Sequence, residues 1–145
     1  MQWRELESTG KALAIFQGPD AYVSPSLYPS KARDGRVVPT WNYVAVHAWG
    51  SVRVFEDANE LRSVIERLTD RHEKDRAAPW RVDGAPEDFI AGTLRAIVGF
   101  EITIERLEGQ WKVSQNRSPE DRRGVKRSLS EGPSNEVSLS ALIPD

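Results

Sequence analysis

The 145-residue chain is 39% hydrophobic and 29% charged, with 20 Lys+Arg against 22 Asp+Glu and a formal net charge of −2. These are the proportions of one soluble globular domain with no bulk attraction for a nucleic-acid backbone. It has no Cys, which excludes disulfides, thiolate metal sites and Cys nucleophiles, and its two His are too few for a His-rich metal centre.

The N-terminal MQWRELESTG is polar and acidic, unlike a secretory signal. No apolar run approaches the ~20 residues needed to span a bilayer. The chain is therefore expected in the cytoplasm, with no membrane partner. Lys11 to Phe16 reads as a strand that Gly18-Pro19 ends, and Ala21 to Ser24 as a second β segment. Pro25 to Arg36 reads as a polar loop carrying Ser26, Tyr28, Ser30 and Lys31, long enough to be functional. Arg36 to Ser51 has β character, with an edge or bulge at Pro39. Gly50-Ser51 then suggests a turn into Val52 to Phe55, a hairpin over residues 43–55.

Asp57 as N-cap with Glu60 at N3 predicts a capping box. Leu61, Val64, Ile65 and Leu68 follow with helical spacing, giving a helix near 58–72. Pro86, Glu87 and Asp88 open a second helix near 86–95. From Val98 to Ile104 the period changes to two, the mark of a half-buried strand, and Glu108-Gly109 reads as a turn into residues 110–115. Ser118-Pro119-Glu120-Asp121 starts a third helix near 119–129. The tail to Asp145 is weakly apolar and allows a short terminal segment.

No P-loop, GxGxxG, GxSxG or HExxH signature is present, so no catalytic residue is assigned. His47, on a β face beside Trp49, reads as a structural histidine. The run Val38 to Tyr43 is dense in aromatic and hydrogen-bonding groups. Thr40 and Asn42 could read the edge of a flat heteroaromatic ligand that Trp41 or Tyr43 covers, or the run could be a core with two satisfied aromatics. Lys112 to Arg117 ends a strand before a helix start, an arrangement suited to a phosphate or to a solvated strand end. Arg122, Arg123, Lys126 and Arg127 form a basic face that is either solvated or able to touch DNA phosphates.

Five ordered blocks resemble one family. They are AYVSPSLYPSK (21–31), VPTWNYVAVH (38–47), LTDRHE (68–73), LRAIVG (94–99) and LEGQWKVSQNR (107–117). Together they resemble the PaiB-like proteins, FMN-binding negative transcriptional regulators. Leu27 stands where that pattern usually has Trp. The resemblance implies an α+β fold: an antiparallel split β-barrel, partly open, with about three helices. It also implies FMN as cofactor and a homodimer with flavin near the subunit interface. Relative to the family the chain reads as a single split-barrel domain, 1–145, without the first barrel strands.

On this reading the chain is a non-catalytic regulator. The alternatives are a flavin-dependent oxidoreductase of the same superfamily, or a degenerate fragment that binds no flavin. DNA association is expected to be weak or indirect. For an FMN phosphate, Lys31, Lys112 and Arg117 are the expected clamp. Thr40, Trp41, Asn42 and Tyr43 are the expected ring contacts, with Gln115 and Asn116 adding hydrogen bonds.

Overall fold

The computed structural model describes residues 2–145. Among these residues the chain forms six α-helices and three long strands in the order α1 (Gln2–Thr9), β1 (Lys11–Val23), α2 (Lys31–Asp34), β2 (Thr40–Phe55), α3 (Ala58–Glu73), α4 (Glu87–Leu94), β3 (Gly99–Lys112), α5 (Pro119–Ser130) and α6 (Ser134–Ser140). The α+β class holds, and α3, α4 and α5 lie where the periodicity places them. The helix count is six rather than about three, because α1, α2 and α6 carry no strong apolar period. The strands form one sheet in the order β1-β2-β3.

The chain divides into two compact units, residues 1–12 with 49–105 and residues 13–48 with 106–145. In the first unit, Val52 N–H donates to Gly10 O at 3.0 Å. Further along β2, Arg53 meets Glu101 of β3 at 2.7 Å. In the second unit, Gly18 lies against Val44, and Lys112 meets Thr40. Along β1 and β2 the contacts run 10/52 then 18/44, and along β2 and β3 they run 40/112 then 53/101, so numbers rise on one strand as they fall on its neighbour and the pairing is antiparallel.

Each strand is longer than expected, and in each a glycine read as a turn sits inside the strand. At Gly50 a Cβ would lie 2.0 Å from Thr103 O, so the absent side chain admits the β3 backbone. At Gly109 a Cβ would lie 2.2 Å from the Trp111 ring. Hence residues 43–55 are not a hairpin, and residues 99–112 run without a turn. β1 likewise passes through Gly18-Pro19. Gly18 shares a face with Val44, whereas Tyr22 packs on Trp41 and Ala21 and Val23 join the core with Val44. Strict alternation cannot satisfy all three contacts, so the register shifts by a residue between Gly18 and Ala21, where Pro19 lies.

In the first unit α3 begins at Asp57, whose side chain accepts from Asn59 N–H at 3.1 Å and Glu60 N–H at 2.9 Å. The reciprocal half of the predicted capping box is replaced. The Glu60 carboxylate pairs instead with Arg53, which also reaches Glu101. These two carboxylates hold the guanidinium above its ordinary pKa, Glu60 contributing most. Leu61, Val82 and Leu94 are the buried apolar residues here.

The second unit has the larger core. Ala21, Val23, Val44 and Val113 from the strands meet Val125 and Leu129 of α5, Leu139 of α6, and Tyr28 and Ile143. Burial of such side chains contributes roughly 25 cal/mol per Å² of apolar surface. None of the described helices is long and apolar enough to cross a membrane.

Candidate functional site

The second unit carries all the residues expected at a ligand site. Lys112, the last residue of β3, donates from Nζ to Thr40 Oγ1 at 2.6 Å. The same ammonium lies 5.9 Å from the Tyr43 ring centroid, within cation–π range. Alternation along β2 puts Thr40 and Asn42 on one face and Trp41 and Tyr43 on the other. Trp41 is exposed and meets Tyr22 edge-on, their ring centroids 5.8 Å apart. Asn42 is 1% exposed, and its Nδ2 donates to Ser114 Oγ at 2.8 Å.

Beyond β3 the chain turns a tight corner. Ser114 has φ 61°, the left-handed region that L side chains seldom occupy. Arg117 N–H donates to Ser114 O at 2.9 Å and closes the turn. Gln115 folds back on the strand, accepting from Val113 N–H at 2.7 Å and donating to Trp111 O at 2.5 Å. Ser118 then caps α5 by accepting from Asp121 N–H at 3.2 Å, with Pro119 at the first helical position. Unpaired N–H groups and the dipole favour negative charge at such a helix start.

Arg117 spreads its guanidinium over the Tyr28 ring, 4.8 Å from the centroid, and its carbonyl accepts from Arg122 Nη1 at 3.0 Å. Tyr28 is itself buried, and its hydroxyl and Arg122 Nε are buried polar atoms with no hydrogen-bond partner.

Asp121 joins this helix start to the loop before α2. Its carboxylate accepts from Ser30 N–H at 3.0 Å and Ser30 Oγ at 2.8 Å. Burial pushes the Asp121 carboxyl up. The Ser30 N–H, the Ser30 and Ser118 contacts and the Arg33 charge outweigh that and hold it below its ordinary range.

The structure thus joins Lys112 to Thr40 and Tyr43, and Gln115 to the end of β3. It sets Arg117 over Tyr28 and seats Asn42 in the core against Ser114. Lys31 opens α2 and Asn116 lies in the corner, both exposed. Sequence reasoning missed the Asn42–Ser114 bond, the Arg117–Tyr28 stack and the Ser30–Asp121 clip. Their partners are 72 and 91 residues apart for the two hydrogen-bonded pairs, and local spacing carries no signal of that kind. On the basic face of α5, Arg122 and Lys126 are engaged by Asp145, Lys126 at 2.6 Å. Among the described residues no group of three or more His, Cys, Asp or Glu could hold a metal ion.

A family sequence model described as "Putative FMN-binding domain" matches residues 1–106. The chain belongs to that family. The PaiB-like resemblance of its motifs agrees with a second match, to the protease synthase and sporulation protein PAI 2 of Bacillus subtilis. That protein is 36% identical over 145 residues, covering 99% of this chain and 67% of that protein. Uncharacterized proteins of Emericella nidulans and Aspergillus fumigatus are each 38% identical and each cover 83% of this chain. The chain spans about half of either fungal relative, 52% in both cases. The family match includes β1, β2 and most of β3 and ends before the 113–118 corner. The Bacillus subtilis alignment includes the corner as well.

Proposed function

We propose that the chain is a non-catalytic, FMN-binding regulator of the PaiB type, working as a homodimer built on an open split barrel. The observation that carries the flavin reading is the 112–118 corner. Lys112 and Arg117 flank a turn that leads into a capped helix start, with the half-buried Tyr43 near the Lys112 ammonium. This donor set fits a ligand that combines a phosphate with a flat ring. FMN, when bound, supplies an isoalloxazine ring that can take up and release electrons.

Lys112 and Arg117, with Lys31 reaching in from α2, hold the phosphate in this reading. Trp41 and Tyr43 face the ring, and Thr40 positions Lys112. Asn42 fixes the corner through Ser114, and Gln115 and Asn116 supply further hydrogen bonds. The buried, unpartnered Arg122 Nε and Tyr28 hydroxyl beside Arg117 suit a site that takes another polar group.

Dimer formation is supported by unpartnered apolar side chains along the strands. In the second unit Ile15, Phe16 and Leu107 are each about 60% exposed. In the first, Phe100 and Ile104 are more than half exposed. Apolar surface of this extent calls for a partner. The regulatory part of the reading rests on family membership and on the likeness to the Bacillus subtilis sporulation protein. With Arg122 and Lys126 engaged by Asp145, direct DNA contact is weak and lost steeply as salt rises.

Purification decides among the readings. A yellow dimer that releases FMN on denaturation and is not bleached by reduced nicotinamide supports the proposal. Bleaching with turnover would assign a flavin-dependent oxidoreductase instead. A colourless chain that takes up no added FMN, or one that sediments only as monomer at micromolar concentration, would overturn it.

A further inference from the structure

The first unit contains a cavity of about 280 Å³. It lies among α3, the short 3₁₀ turn Val82–Gly84, α4 and the chain just after α4. Ile65, Ile90, Leu94 and Ile97 supply aliphatic wall, and Trp80 and Phe89, 48% and 63% exposed, add two aromatic rings. The segment that brings Trp80 here is pinned, since Trp80 N–H donates to Glu73 Oε2 at 3.1 Å.

Apart from the Trp80 indole N–H, the polar side chains of the lining, Thr93 and Arg62, are already committed. Thr93 Oγ1 donates to Phe89 O at 3.0 Å within α4. Arg62 pairs with Glu66 at 3.0 Å and Glu87 at 2.5 Å, and these carboxylates raise its pKa, Glu87 contributing most. The guanidinium is thus matched by two carboxylates, and an anionic guest would have to displace one of them.

We propose that this cavity is a binding site for a small, neutral aromatic molecule of one or two fused rings. Volume sets the size: an apolar cavity of about 150 Å³ holds benzene, and drug-sized ligands take roughly 300–1,000 Å³. The wall sets the polarity, because it gains from covering apolar surface and offers a charged guest no uncommitted charged partner. Trp80 and Phe89 favour a ring over an aliphatic chain, since offset or edge-on aromatic pairs add to the gain from burial. The lining shares no residue with the proposed flavin corner, and the inference does not depend on that reading.

The test uses the full chain with isotopically labelled isoleucine methyl groups, titrated with indole, with benzoate and with hexanol. Indole should give saturable shifts at Ile65, Ile90 and Ile97, with benzoate and hexanol at least about tenfold weaker. Ile90→Trp should fill the space and weaken indole by about tenfold or more, with the Ile65 and Ile97 signals reporting that loss. If Ile90→Trp does not fold, Thr93→Phe fills the same space from a more exposed position. Non-saturating shifts spread over many residues would overturn the proposal. So would benzoate or hexanol binding as tightly as indole, or undiminished binding in a folded cavity-filling variant.

Discussion

Asn42 and Ser114 meet through a 2.8 Å hydrogen bond inside the core of the second unit, tying the middle strand to the corner that follows β3. Ser114 holds a left-handed backbone at φ 61°, a conformation that persists when surrounding contacts over-determine it. Asn42 supplies one such contact and Arg117 N–H supplies another. Asn42→Ala leaves the buried Ser114 hydroxyl without this partner and should cost about 1–3 kcal/mol. Urea unfolding of Asn42→Ala, Ser114→Ala and the double variant measures this. The two losses should be less than additive, because they share one bond.

Gly124 gives a sign reversal. In an exposed helix interior, Gly→Ala stabilises by about 0.4–1 kcal/mol. At Gly124 in α5 a Cβ would lie 2.4 Å from Leu27 O and 2.8 Å from Pro29 Cδ. Something in the loop before α2 must therefore move. Gly124→Ala should destabilise by about 1–3 kcal/mol, and an increase in the denaturation midpoint would contradict this packing.

The glycines also explain how much of the fold was legible. α3 and α5 were readable because a cap residue and an apolar period agree: Asp57 before Leu61 and Ile65, Ser118 before Val125 and Leu129. Strand lengths were not, because Gly50 and Gly109 carry the same local signal whether they turn the chain or admit a neighbour. The deciding atoms are Thr103 O at one and the Trp111 ring at the other. α6 has the Ser-rich sequence SNEVSLS and weak intrinsic preference. Buried Leu139 seats it in the core beside α5 residues Val125 and Leu129, so packing overrides propensity. The candidate site follows the same rule. Its residue types were visible as motifs, whereas the Ser30–Asp121 and Arg117–Tyr28 contacts depend on long-range folding.

Asp121 makes stability depend on pH in a known direction. Its folded pKa lies below the ordinary value near about 4. The unfolded chain therefore binds a proton first as pH falls. The stability that Asp121 contributes is present above the unfolded pKa and is lost as pH drops through the lowered folded value. Asp121→Asn removes the titration while keeping the shape, and Asp121→Ala removes the Ser30 contacts as well. Denaturation midpoints measured from neutral pH into the acid range should show a shallower acid decline in Asp121→Asn than in the parent. Parallel profiles would place the acid sensitivity at other carboxylates.

The corner itself is tested by flavin affinity. Lys112 holds Thr40 and lies against Tyr43, while Arg117 lies over Tyr28. In the proposed site each supplies a cation for the phosphate. A hydrogen bond to a charged group is worth roughly 1.5–3 kcal/mol, so Lys112→Ala and Arg117→Ala should each weaken FMN by about one to two orders of magnitude. Riboflavin lacks the phosphate, so its affinity should change little in the same variants. Trp41→Ala should weaken FMN and riboflavin alike, because a ring contact does not distinguish them. Fluorescence titration of the four proteins with both ligands separates the roles. Equal FMN affinity in the parent and both cation variants would remove Lys112 and Arg117 from the site. Parallel loss of riboflavin would reassign the two side chains to holding the corner in shape, a role that circular dichroism and unfolding of the same variants would register as lost stability.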